Sequence, residues 1–297
     1  MEFAACEICG QSSWMPVYEG PVRNGPFGSS RPGAQVAQCG GCGVQRLDEG
    51  HCLGKEGYES WEYREKLGQA SDIKAHLEQH DPFQRRVIDQ VLSRAPRGLA
   101  FADIGCGGGT FLDHIRGLTG SVMGIEPNHV FQPGLQARGI EVFPYAEAVP
   151  AERHGTIDMA TVFQVIEHTQ TPRLFLEGIR CLLKPDGSLL LTTPNRRDIL
   201  MDLLSDDFPP FFYRVVHRWY FDADSLARCA ELAGFTVSRM EHVHGYGLSN
   251  TMAWLRDRRP IGWKALPGID GTMDAVWKTL LEDRGRSDVL FADLRPA

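Results

Sequence analysis

The ten residues from Phe101 to Thr110, Phe-Ala-Asp-Ile-Gly-Cys-Gly-Gly-Gly-Thr, constrain this chain more than any other stretch. An apolar run closes on Asp103, glycine stands at Gly105, Gly107 and Gly109, and a helix is expected to open near Thr110. Glycine admits backbone angles that a Cβ forbids, and its bareness lets a ligand lie against the main chain. The free N–H groups at the start of the next helix point at that ligand. About twenty residues on, a second short predicted strand, Val122 to Ile125, ends in Glu126, where an acid can hold both hydroxyls of a ribose. Loop and acid together predict a nucleoside-bearing cofactor on a parallel α/β sheet.

The choice of nucleoside turns on one position. The dinucleotide fingerprint G-x-G-x-x-G carries its third glycine where this chain has Thr110. Here the extra glycine falls one residue earlier, at Gly109, and an aspartate closes the strand. This D-x-G-x-G-x-G form resembles the nucleotide-binding motif of class I S-adenosylmethionine-dependent methyltransferases. Taken alone, it leaves an NAD site or a purely structural turn open.

Later segments narrow that choice. Ile157 to Phe163 reads as a fourth strand and is followed by Gln164-Val165-Ile166-Glu167-His168. A helix is expected from Thr171-Pro172, with a hydroxyl cap and proline in its first turn. Its apolar residues Leu174, Phe175, Ile179, Leu182 and Leu183 recur at helical spacing. Lys184 to Gly187 reads as a turn, and Ser188 to Thr193 as a strand ending in Pro194-Asn195. The string from Asp158 through Q-V-I-E-H and L-K-P-D-G to L-L-L-T-T-P-N resembles the central block of the same superfamily, over about residues 98–240. The resemblance implies a Rossmann-like, seven-stranded α/β sheet whose last strand runs antiparallel. The sixth strand is expected at Phe235 to Val243, after a helix stopped by Gly234, and the seventh at Asp288 to Leu294. Insertions at about 196–221 and 243–286 would lie on the substrate side. The second of these should carry a helix with Met273, Val276, Trp277, Leu280 and Leu281 on one face.

Ahead of this block, Cys6-Glu7-Ile8-Cys9-Gly10 and Cys39-Gly40-Gly41-Cys42-Gly43 form two C-x-x-C-G hooks. Two residues between cysteines let both sulfurs of a pair reach one ion, and four thiolates suit tetrahedral zinc. Cys6, Cys9, Cys39 and Cys42 are therefore the expected ligands of a structural Zn2+ in a zinc-ribbon domain over residues 1–53. Two full pairs leave no open coordination position. Disulfides and redox chemistry are the competing readings, and His51 or Cys52 could replace a ligand. Cys106, Cys181 and Cys229 are expected as small core or loop residues. Residues 54–96 read as a helical lid or linker, with Tyr58, Trp61 and Tyr63 at its start and a helix from Pro82 through Val87, Ile88, Val91 and Leu92. The three aromatics either close over the cofactor or pack the lid on the sheet.

Carried over from the family motif, Asp103, Gly105, Cys106, Gly107, Gly109 and Glu126 with Pro127 would frame S-adenosyl-L-methionine. Ala146 and Glu147 would meet its adenine, and Phe163 and Gln164 its sulfonium end. His168 is the expected base, since an imidazole of pKa about 6.5 can accept a hydroxyl proton near neutrality. Glu167 is expected beside it, either as a structural residue or as an orienter of a neighbouring group. Glu167-His168 also resembles the E-x-x-E-H motif of quinone-biosynthesis O-methyltransferases, whose acids and histidine bind a divalent ion. Gln164 replaces the first acid, and a lost anionic ligand weakens such a site, so no catalytic metal is expected. His217, Trp219, Tyr220, His244 and Tyr246 combine ring surfaces with polar tips and are the candidate substrate contacts.

These features predict a methyltransferase acting on a hydroxyl of a small molecule, most simply a sugar or sugar-containing metabolite. Zinc hooks ahead of such a core also resemble sugar C-methyltransferases, which carry a further C-terminal domain. Ribosomal RNA methyltransferases are another zinc-bearing comparison. The net charge of −7, from 38 acidic and 31 basic residues, disfavours a nucleic-acid partner. A non-catalytic adaptor conflicts with the intact glycine loop and Glu126. No apolar run approaches a membrane span of about eighteen residues, and Met1 to Cys6 lacks the pattern of a signal peptide. With reduced paired thiols, a cytoplasmic setting is expected. The oligomeric state is left open.

Overall fold

Apolar runs bounded by turn residues become the middle of a mixed sheet in the computed structural model, which describes residues 3–67, 73–81 and 84–297. Eleven strands are described: β1 Trp14–Arg23, β2 Ser30–Cys39, β3 Gln45–Leu47, β4 Ala100–Ile104, β5 Ser121–Ile125, β6 Glu141–Phe143, β7 Ile157–Phe163, β8 Leu183–Pro194, β9 Trp219–Tyr220, β10 Phe235–Val243 and β11 Val289–Pro296. Seven of them form one sheet in the order β10-β11-β8-β7-β4-β5-β6. The pairs from β8 to β6 are parallel. β11 runs antiparallel to both β8 and β10. This is the seven-stranded Rossmann-like sheet with an antiparallel last strand that the sequence led us to expect.

Alternation along each strand builds two cores, one on each face. Ala102, Ile104, Ala160, Val162, Leu189 and Leu191 pack with helices Pro172–Leu182 and Ala223–Leu232. Phe101, Met159 and Leu190 pack on the other face with helix Thr110–Ile115, Phe131 and Leu135. Burial on both faces explains why β4 and β7 read as nearly unbroken apolar runs.

The expected turn at Lys184–Gly187 is absorbed into β8. Between the pairs Ile157↔Leu183 and Met159↔Ser188 the register slips, so these residues bulge from the ladder. Thr171 stands at the N-cap of its helix, but its side chain makes no cap hydrogen bond. Helix Ala223–Leu232 has a capping box between Asp222 and Ser225 and ends before Gly234, whose φ is +80°. The lid contains short helices at Lys55–Glu59, Glu62–Lys66, Ile73–His80 and Gln84–Leu92. The expected helix start at Pro82 lies outside the described residues. The second insertion also carries a helix at Leu248–Asp257, which was not expected. Helix Gly271–Asp283 buries Leu281, while Met273, Val276 and Leu280 stay exposed.

A second sheet, β1-β2-β3-β9, ties the N-terminal segment to the rest. Its fourth strand is Trp219–Tyr220, from far along the chain, paired antiparallel with Gln45 and Arg46. Trp219 is fully buried in the core that also contains Cys6, Cys39 and Cys42, and its Nε1 donates to the Thr169 carbonyl at 2.8 Å. Arg46 lies over its ring. We therefore expect Trp219→Ala to lower unfolding stability by about 3–5 kcal/mol, the usual cost of emptying a buried tryptophan site. A shift of less than about 1 kcal/mol in urea denaturation would contradict this account of the junction.

Candidate active site and cysteine cluster

The glycine loop turns through left-handed backbone. Gly105, Gly107 and Gly109 have φ of +77°, +53° and +80°. A Cβ on Gly105 would collide with Val165, and one on Gly109 would come within 2.5 Å of Leu135. Glu126, at the end of β5, is buried and ties two loops together. Its Oε2 accepts the Gly107 N–H at 2.7 Å and its Oε1 accepts the Asn128 N–H at 2.8 Å. Each carboxylate oxygen retains a lone pair, so a ribose hydroxyl can still bind. Asp103 accepts a hydrogen bond from Thr161 Oγ1 at 2.7 Å, and burial raises its pKa to about 7.

These residues border a cavity of 1130 Å³. That exceeds the roughly 300–1,000 Å³ usual for one small ligand, leaving room for two molecules side by side. Asp103, Gly105, Cys106, Gly107, Glu126 and Pro127 line one end, with Ala146 and Glu147 beside them. Phe163 and Gln164 line it at the end of β7. Gly109 is not part of the lining; it stands at the N-cap of helix Thr110–Ile115. Gln164 has φ +58°, uncommon for a residue with a Cβ. Its N–H donates to the Thr192 carbonyl at 3.0 Å and its Nε2 to Thr192 Oγ1 at 3.2 Å, which hold that conformation. Arg64 and His76 line the cavity from the lid and Arg214 from the first insertion. Sequence reasoning missed all three, since no motif distinguishes them from surface charge.

Glu167, His168 and His217 meet at the far end. Their ligand atoms lie within 4.8 Å of one another. The Glu167 carboxylate accepts from Thr193 Oγ1 at 2.9 Å through Oε2, while Oε1 is buried with no hydrogen-bond partner among the described residues. Burial raises the Glu167 pKa to about 7. Burial lowers that of His168 to about 4. His168 Nδ1 donates to the Val216 carbonyl, so Nε2 carries the lone pair and accepts from Tyr63 Oη at 3.2 Å. The more basic group of the pair is thus the carboxylate. The Arg214 guanidinium bears electrostatically on both Glu167 and His217. A cation there opposes a second cation in the cluster.

The remaining candidate substrate residues lie elsewhere. Trp219 and Tyr220 are core, 0% and 2% exposed, and do not line the cavity. Tyr220 Oη accepts the Arg214 N–H at 2.9 Å and faces the carbonyls of Arg214 and His217. It positions the segment that carries those side chains. His244 accepts from the Asp288 N–H at 3.1 Å, and Tyr246 stacks on Trp263 at 5.9 Å, both outside the lining. In the lid, Tyr63 reaches His168, Tyr58 donates to the Val216 carbonyl at 2.8 Å, and Trp61 packs on Phe131.

At the N-terminus, Cys6, Cys9, Cys39 and Cys42 gather their sulfurs within 4.8 Å of one another. The Cys6–Cys42 and Cys9–Cys39 sulfurs are 3.7 and 3.5 Å apart. Tetrahedral Zn–S bonds of about 2.3 Å would space sulfurs about 3.8 Å apart, so the donor set fits zinc. All four are free thiols, and Gly10 and Gly43 take φ of +77° and +75° where each hook turns. The Gly41 N–H points at Cys39 Sγ.

Fold, glycine loop and acid define a class, the nucleoside-binding α/β enzymes with a seven-stranded sheet. The profile of the family described as "Methyltransferase domain" matches residues 76–239, more than half the chain, and the chain belongs to that family. It is an S-adenosylmethionine-dependent methyltransferase. It is 30% identical over 170 residues to the ubiquinone biosynthesis O-methyltransferase of Aeromonas salmonicida (strain A449), a match covering 52% of this chain and 69% of that one. Its identity to the protein of the same name from Cronobacter sakazakii (strain ATCC BAA-894) is 28% over 183 residues, covering 58% and 72%. A chain from the complex between the Haloferax volcanii Trm112 methyltransferase activator and the putative methyltransferase shares the fold. The match has a TM-score of 0.52 and 13% identity, covering 74% of this chain and 93% of that one. None of these three is named for a sugar substrate. In calorimetric titration the protein should bind S-adenosylmethionine and not NAD, and Glu126→Ala should abolish binding. Preference for NAD would overturn the assignment of the loop.

Proposed function

We propose that this enzyme methylates a hydroxyl of a polar small molecule, with Glu167 taking the proton. The observation that carries the reading is Glu167 Oε1, buried in the cavity without a hydrogen bond among the described residues and 4.0 Å from His168 Nε2. A carboxyl of pKa about 7 is matched to proton transfer near neutrality. The cofactor supplies an electrophilic methyl carbon on a sulfonium. With the acceptor hydroxyl placed toward that methyl group, Glu167 would take the hydroxyl proton. His168 stays neutral and, fixed by the Val216 carbonyl and Tyr63, shapes the floor with His217. Asp103, the glycine loop and Glu126 hold the nucleoside end, and Ala146 and Glu147 flank the adenine. A sugar or sugar-containing acceptor suits the polar floor. A C-methyl transfer, in which the same carboxylate takes an α-proton from a keto-sugar, is the alternative chemistry. The relatives named for ubiquinone biosynthesis make O-transfer the better supported of the two.

An acceptor found by screening hydroxylic compounds, led by nucleotide sugars, supplies the assay. kcat/KM should rise with pH through about 7 as Glu167 ionises. Glu167→Gln should lose about 100- to 10,000-fold and with it that limb of the profile. An unchanged profile in the variant would remove Glu167 from the proton path.

We also propose that the four cysteines hold one structural zinc. The sulfur spacing supports it, and a thiolate ligand set leaves no position for substrate. Metal analysis of protein prepared without chelator should find one zinc per chain. Its removal should destabilise the whole protein rather than a detached module, because the cluster shares its core with the large sheet. Metal-free protein with unchanged thermal stability would contradict this.

A further inference from the structure

Arg214 is a largely buried guanidinium whose side chain makes no hydrogen bond or ion pair among the described residues. It lines the cavity, its Nε is buried with no hydrogen bond, and it forms no ion pair among the described residues. Other cationic side chains in the lining are engaged. Arg218 pairs with Glu49, Lys55 with Glu59, and Arg64 lies over the Tyr63 and Phe131 rings. Glu167 feels the charge of Arg214, yet the two do not form an ion pair. The lining therefore carries both the Arg214 guanidinium and the Glu167 Oε1 without a hydrogen bond among the described residues.

The position of Arg214 is built rather than incidental. Its N–H and carbonyl are both held by the buried Tyr220 hydroxyl. A bridge joins its backbone to that of Arg23, and Arg23, whose Nε donates to the Gly25 carbonyl, adds a second positive charge nearby. In a chain with more acids than bases, neither arginine has a carboxylate partner among the described residues, and Arg23 lies over the Phe211 ring instead. Burying such a group is costly unless an anion meets it, and a planar fork suits the paired oxygens of a carboxylate or phosphate.

We propose that Arg214 receives an anionic oxygen group, a carboxylate or a phosphate, carried by the molecule whose hydroxyl is methylated. This rests on the O-methyl reading of the same cavity. The acceptor is then an acid: a uronic or hydroxy acid if the group is a carboxylate, a phosphorylated or nucleotide-linked sugar if it is a phosphate. Glu167 and Arg214 address its two ends.

The test is a titration of the full-length protein, loaded with S-adenosylhomocysteine, at low salt. The probes are inorganic phosphate, benzoate and, as neutral counterpart, benzamide. Saturable binding of one anion at a single site, with no response to benzamide, is expected. Arg214→Gln should weaken it about 10- to 100-fold while leaving S-adenosylhomocysteine affinity unchanged, which also reports that the variant is folded. Arg214→Lys should fall between the two, keeping the charge and losing the fork. Binding of phosphate alone assigns a phosphorylated acceptor, and binding of benzoate alone a carboxylate. Binding of neither anion, or equal binding by Arg214→Gln, overturns the proposal. Failure of the wild-type protein to take up S-adenosylhomocysteine would overturn the methyltransferase reading instead.

Discussion

Main-chain hydrogen bonds from residues 213–221 hold the Glu167–His168 end of the cavity and the cysteine-bearing sheet to one another. On one side, Arg23 N–H donates to Tyr213, Leu53 N–H to Val215 and Leu47 N–H to Arg218. On the other, the Arg218 N–H caps the Glu167 carbonyl at 2.8 Å, and the Val216 carbonyl accepts from both His168 and Tyr58. Backbone groups must be satisfied once buried, and here their partners are the site itself. The ribbon, the lid and the strand-end loop consequently share one scaffold. A disturbance in the ribbon would reach Glu167 through two hydrogen-bonded steps.

That shared scaffold explains which parts were readable from sequence. The sheet was, because β4, β5, β7 and β8 are local apolar runs with turn residues at their ends. The glycine loop was, because three left-handed positions in alternation require glycine. The cysteine hooks were, because their spacing is short-range. Trp219 and Tyr220 were misplaced for the complementary reason. Their residue types suit a pocket and a core equally, and only the long-range pairing of β9 with β3 decides between them. Helix Leu248–Asp257 was hidden by the glycines and the proline around it. Arg214 could not be found at all, since an arginine matters here by what the fold withholds from it.

Electrostatics at the cavity floor invert the usual ranking of its two titratable groups. Desolvation penalises the charged form of each, so it raises the carboxyl of Glu167 and lowers the imidazole of His168. Both are neutralised by the same burial, and their basicities cross. A histidine chosen as base on its ordinary pKa becomes the weaker acceptor, held as a fixed donor to Val216 and acceptor from Tyr63. The acid beside it becomes the group poised at neutrality. The pairing is one of environment, not of residue type, and sequence proximity of Glu167 and His168 alone could not assign the roles.

The same desolvation bears on the charge balance of the bound state. A carboxylate ionising at Glu167 would face Arg214 across the cavity, and an anionic acceptor would be drawn toward the guanidinium and away from the acid. Orientation is the larger part of what such an enzyme supplies, since in-line displacement requires the attacking oxygen, the carbon and the departing sulfur to be aligned. Tyr63 and Gln164 line the same cavity, Gln164 with left-handed backbone at the end of β7. Glu167, His168 and Arg214 are thus mounted on the scaffold of residues 213–221 or on the loop hydrogen-bonded to it, and Tyr63 reaches His168 from helix Glu62–Lys66.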